Sequence, residues 1–182
     1  MDSNEDGRFN EMKQSFLASA IADIATYIQL ADTKVSIIMG ALVALIAGTM
    51  ACYEPIADII SRVKPCSWIG ICLATFSIIC AGSIVAAFIW GILTIRGHVS
   101  IIDYQSKWYL LKSTQEYSFD AYKQDIISMD DKDIIENMAA ELYKLNDINR
   151  QKARTMKCTI RCFAVALSTA GILGVLLLFS IM

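Results

Sequence analysis

The sequence predicts an all-α helical membrane protein with three transmembrane helices, the first and third extended into a cytoplasmic helical stalk. Three observations carry this prediction. Hydrophobic residues make up 55% of the chain and charged residues 19%, against about 45–50% and about 25% in a soluble domain. Three runs, Val35–Tyr53, Pro65–Ile95 and Cys162–Met182, contain no charged residue, and each comes close to or exceeds the roughly 20 residues that cross a hydrocarbon core. Outside these runs apolar residues recur at heptad spacing. The composition excludes an ordinary soluble enzyme, a disordered chain and a disulfide framework, and it argues against nucleic-acid binding. The formal net charge of −2 selects no partner.

Residues 1–34 read as a cytoplasmic amphipathic helix. Leu17, Ile21, Ile24, Ile28, Ala31 and Val35 alternate by four and three, and the stripe continues as Ile38, Leu42 and Leu45. One helix from about Phe9 to Tyr53 would be about 68 Å long. The segment lacks a short apolar core behind a basic start, so no cleavable signal peptide is expected and the first span, 35–53, serves as the anchor. Both prolines, Pro55 and Pro65, fall in 54–66, a short external loop. Ile56, Ile59, Ile60 and Val63 repeat there at helical spacing, which fits a short interfacial helix. Cys52 and Cys66 flank the loop and could pair across it.

The second span covers 67–95 and the third 160–182. Between them, 96–159 is a cytoplasmic helical segment. Trp108, Tyr109, Leu110 and Leu111 need a covering surface or the membrane interface. Ser113-x-x-Glu116 has the form of a capping box that would open a helix through Tyr117, Ala121, Tyr122 and Ile126. Asp130 or Asp131 can cap the last long helix. In that helix Ile135, Met138, Leu142, Leu145, Asn149, Lys152 and Met156 alternate by three and four. Asn149 and Lys152 either stand in the seam and fix its register, or the stripe turns to Ile148 and both face water.

Positive charge sets the orientation. The segments 1–34 and 96–161 must share a side, and they hold 14 of the 16 Lys and Arg residues. They belong in the cytoplasm, which places the loop 54–66 and Met182 outside an inner membrane. Small residues repeat every four along the spans: Gly40, Ala44 and Gly48; Ser83, Ala87 and Gly91; Ala170 and Gly174. Such faces let helices approach closely, within one chain or between copies in a homo-oligomer. No charge lies deep in a run, which argues against a proton-coupled transporter. Thr49, Thr75, Ser77, Ser83, Ser168 and Thr169 could line a pore.

Catalytic chemistry is not evident. There is no Gly-rich phosphate loop, no Ser/His/Asp arrangement and no HExxH, and the six cysteines form no CxxC pair. His98 reads as an interface residue. No enzyme activity, cofactor or metal site is expected.

Leu30-Ala31-Asp32-Thr33-Lys34, after Tyr27-Ile28-Gln29, resembles the ADTK motif at the head of the membrane domain in the Pycsar effector membrane proteins of bacterial anti-phage defence. Later come Thr114-Gln115-Glu116-Tyr117 and the helix Glu141-Leu142-Tyr143-Lys144-Leu145-Asn146-Asp147-Ile148-Asn149-Arg150-Gln151-Lys152. The latter is similar to a family pattern QIYxLxxIAxxK, from which Glu141 and Asn149 depart. The resemblance covers nearly the whole chain.

It implies a non-enzymatic effector that oligomerises and impairs or permeabilises the inner membrane on a cyclic mononucleotide signal, cUMP or cCMP, causing abortive infection. Some members carry a cyclic-nucleotide-binding β-barrel. The segment 96–161 is too short and too helical for one, so nucleotide binding would fall to a pocket between helices or to a separate sensor protein. The alternative is a small scaffold or signalling membrane protein whose cytoplasmic helices bind a partner. Asp32 and Lys34 stand where the first helix meets lipid. Lys34 can simply snorkel. Alternatively, Asp32 pairs with a basic residue of the third helix, Lys152 or Arg154, in a latch or signal-sensing contact.

Overall fold

The computed structural model describes residues 3–64, 67–96 and 118–181, and the side chains of 3–6 and 181 are not described. Five helices and no strand occur among the described residues: α1 (Ser3–Ala51), α2 (Tyr53–Arg62), α3 (Trp68–Ile95), α4 (Phe119–Ile127) and α5 (Asp131–Ile181). Three of them, α1, α3 and α5, are long and apolar enough to cross a membrane. The helical membrane architecture expected from the three charge-free runs is therefore the observed one. His98, Trp108–Leu111, the Ser113–Glu116 box and Cys66, with its expected pairing to Cys52, lie outside the described residues.

Each helix boundary has a local cause. Asp130 Oδ1 accepts a hydrogen bond from the Asp133 amide at 2.7 Å and so caps α5. Ser118 Oγ accepts from the Ala121 amide at 3.3 Å and caps α4, which begins at Phe119. Ser67 Oγ accepts from the Gly70 amide at 3.1 Å and opens α3. The loop expected over 54–66 is mostly the helix α2, and Pro55 lies inside its first turn. Proline is tolerated there because the first-turn amides have no helical acceptor to lose. The Cys52 amide donates to Gly48 O and the Ile56 amide to Cys52 O, both at 3.2 Å, which bridges the break after α1.

The chain divides into two compact units, Met1–Leu30 with Gly97–Gln151, and Ala31–Arg96 with Lys152–Met182. In the first unit, Leu17, Ile21, Ile24 and Ile28 of α1 are half-buried, while the positions that flank Leu17 and Ile28 are exposed. On α5, Met138 is buried and Ile135, Leu142 and Leu145 are half-buried. These residues belong to the two heptad stripes. On α5 the covered surface is broad, and only Glu136, Ala139, Tyr143 and Asn146 are exposed between Asp133 and Asn149. Buried Asn137 donates to the Asp133 carbonyl at 2.8 Å.

The second unit packs α1, α3 and α5 around Val35, Leu42, Leu73, Ala87 and Ala166. Gly91 of α3 lies close against Met39 of α1. A Cβ built there would stand 2.7 Å from Met39 Sδ, so a larger residue requires something to shift. Cys80 Sγ donates to the Ala166 carbonyl at 3.6 Å, which joins α3 to α5. Buried Thr94, Thr159 and Thr169 hydrogen-bond to carbonyls of their own helices. This satisfies polar groups where neither water nor a facing partner is needed.

Candidate functional site

Asp32 and Lys152 lie 120 residues apart in sequence and meet at the charged end of the second unit. The heptad stripe of α1 brings Ala31 and Val35 inward and sets Asp32 beside it, half-buried. On α5 the stripe runs from Met138 through Leu145 to Lys152. That spacing turns the Lys152 side chain inward instead of toward solvent. Its ammonium donates to both carboxylate oxygens of Asp32, at 2.6 and 2.7 Å. The two side chains differ in exposure, 9% for Lys152 and 39% for Asp32. The cation is thus the dehydrated partner, and its charge is balanced by a carboxylate that water still reaches.

Of the two expected cationic partners, only Lys152 takes the position. Arg154 is exposed, two residues along the helix and off the inward face. Lys34 is exposed as well, two residues beyond Asp32 on α1. Asn149 is half-buried and belongs to the first unit. The stripe does not turn Lys152 toward water, because a residue one heptad on from Leu145 shares its face.

The small-residue faces separate. Ser83, Ala87 and Gly91 lie on the inner side of α3, where Ala87 is fully buried. Gly40, Ala44 and Gly48 are exposed, and a Cβ on Gly40, Gly48 or Gly174 would meet nothing within 4 Å. Within one chain, helix packing therefore uses the α3 face and leaves Gly40, Ala44, Gly48 and Gly174 outward. Thr49 and Thr75, considered for a pore lining, return their hydroxyls to the carbonyls of Leu45 at 2.6 Å and Ile71 at 2.8 Å. They can face lipid without an orphan donor.

Two features escaped the sequence reading. Glu141 Oε2 is buried and has no hydrogen-bond partner among the described residues. The Met39–Gly91 approach was also missed, because a glycine in an apolar run carries no sign of which neighbour it meets. No group of three His, Cys, Asp or Glu side chains that could hold a metal occurs among the described residues.

A family model described as the Pycsar effector protein domain matches residues 16–180. The match takes in the ion pair, all three apolar helices and most of both units. No curated protein and no solved structure matches the chain.

Proposed function

Because the chain belongs to the Pycsar effector family, we propose that it is an anti-phage effector that impairs or permeabilises the bacterial inner membrane on a cUMP or cCMP signal. The single observation behind the mechanism is the bidentate Asp32–Lys152 pair. A buried ammonium needs a partner, so the pair holds α1 against α5 at the head of the spans. Separating the helices there exposes or strands that charge, which gives two discrete arrangements instead of a gradual loosening. A ligand or sensor protein that binds the separated arrangement better shifts the population toward it. The cytoplasmic orientation of the charged end follows from the distribution of Lys and Arg.

Self-association would use the outward faces at Gly40, Ala44, Gly48 and Gly174, which allow close helix approach in lipid. A Cβ added at Gly40 or Gly48 would meet no described residue within 4 Å, so bulk added there is expected to leave the monomer's packing intact. Gly40→Ile with Gly48→Ile is therefore expected to abolish crosslinked oligomers at unchanged monomer fold and expression. Persistence of the same crosslinked ladder would place the interface elsewhere.

The function is tested by inducing the chain together with a pyrimidine cyclase and following a membrane-potential dye. Depolarisation that requires an active cyclase is expected. An unchanged potential with the cyclase active would overturn the effector reading and favour a scaffold that binds a partner through its helices.

A further inference from the structure

Three contacts set the relative heights of the helices in the second unit. The Asp32–Lys152 pair brings Lys34 level with Arg154, each two residues further along parallel helices. The Met39–Gly91 approach brings Lys34 level with Arg96, each five residues away along antiparallel helices. Lys34, Arg96 and Arg154 thus mark one plane, beyond which α1 and α3 carry no charge until the far end. Helix α5 does not follow this rule. Lys157 and Arg161 lie past the plane, and both are exposed.

Arg161 stands seven residues beyond Arg154, about 10 Å along the helix. The Cys80–Ala166 contact gives an independent measure. It brings Arg161 level with Val85, eleven residues or about 16 Å from Arg96. By the first route Arg161 is level with Ala41 of α1 and by the second with Val85 of α3, and both positions lie inside the apolar stretches of those helices. None of Arg154, Lys157 and Arg161 makes an ion pair with another described residue.

The three cations fall on one face, at spacings of three and four, and Val165, Ser168 and Ile172 continue that face deeper. Val165 and Ile172 are 45% and 41% exposed. Side chains on a helix lean toward its N-terminus, here toward the charged plane. Lys157 and Arg161 can therefore reach up toward headgroups, but only phosphates drawn below the ordinary interface would neutralise them in place.

We propose that this face of α5 binds an anionic phospholipid, with its headgroup phosphate held by Lys157 and Arg161 and its acyl chain laid along Val165 and Ile172. Charge complementarity and continuity with the lipid-facing apolar surface select that occupant. The proposal requires membrane insertion and does not rest on the effector reading. Lipid retention therefore tests it independently of any change in potential.

The test takes the full chain from bilayers of equal phosphatidylglycerol and phosphatidylcholine and identifies retained lipid by native mass spectrometry. Phosphatidylglycerol is expected to be preferred by about fivefold per engaged cation, as juxtamembrane Lys and Arg confer. Lys157→Gln with Arg161→Gln should remove most of that preference, and Arg154→Gln should remove less. The exchange Lys157→Arg with Arg161→Lys should keep it, which separates charge from folding. Equal retention of the two lipids by the wild type, or an undiminished preference in the Gln pair, would overturn the proposal. Displacement of the lipid by added cUMP at unchanged ionic strength would also overturn it, in favour of a free-phosphate site.

Discussion

Asp32→Ala is expected to raise uninduced toxicity more than Lys152→Met does. The asymmetry follows from exposure. The Lys152 side chain is 9% exposed and that of Asp32 39%. Removing the carboxylate strands a dehydrated ammonium, which costs more than a neutral buried group left unpartnered, itself about 1–3 kcal/mol. Removing the ammonium instead leaves a carboxylate that water can solvate, and methionine fills the volume of the lysine stem. The double variant should therefore be milder than Asp32→Ala alone, since it has no bare charge. Growth of uninduced cultures and the unfolding midpoint of the purified chain give the two readouts. Equal growth and equal midpoints for Asp32→Ala and the wild type would show that the pair holds nothing closed.

Gly91→Val should lower the unfolding midpoint sharply, while Gly40→Ala and Gly174→Ala should leave it unchanged or raise it. In a helix interior alanine is favoured over glycine by about 1 kcal/mol, so propensity alone stabilises all such replacements. At Gly91 the new Cβ would sit 2.7 Å from Met39 Sδ and 3.5 Å from its Cγ. Its Cε follows at 3.6 Å, so the half-buried methionine must swing aside or α1 and α3 must part. Overpacking of this kind costs about 1–3 kcal/mol. Combining Gly91→Val with Met39→Ala should recover most of the loss, because the alanine opens the space that valine takes. Failure of that rescue in thermal unfolding would mean the penalty is not the Met39 contact.

Particular residues explain how much was readable in advance. The charge-free runs and the stripes from Leu17 to Leu45 and from Ile135 to Met156 depend only on periodicity, and periodicity is local. Lys152 was legible as a polar group at a heptad position, and Asp32 as an acid near the lipid boundary. Their pairing was one of two readings, because spacing along each helix does not specify the rotation of one helix against another. The cap of α4 was not legible, because several Ser, Asp and Glu residues compete there, and Ser118 opens the helix at Phe119.

The sequence by itself determined the helical membrane class, the three spans and the two long amphipathic stripes, because desolvation of apolar runs and the helical repeat are properties of contiguous residues. Only the tertiary structure decided which small-residue face is used inward, at Ala87 and Gly91, and which stays outward, at Gly40 and Gly48. It also decided that Lys152 and not Arg154 meets Asp32, and that Arg161 comes level with apolar stretches of α1 and α3. These depend on the relative rotation and height of helices far apart in sequence. A few long-range contacts set those heights, and no local pattern encodes them.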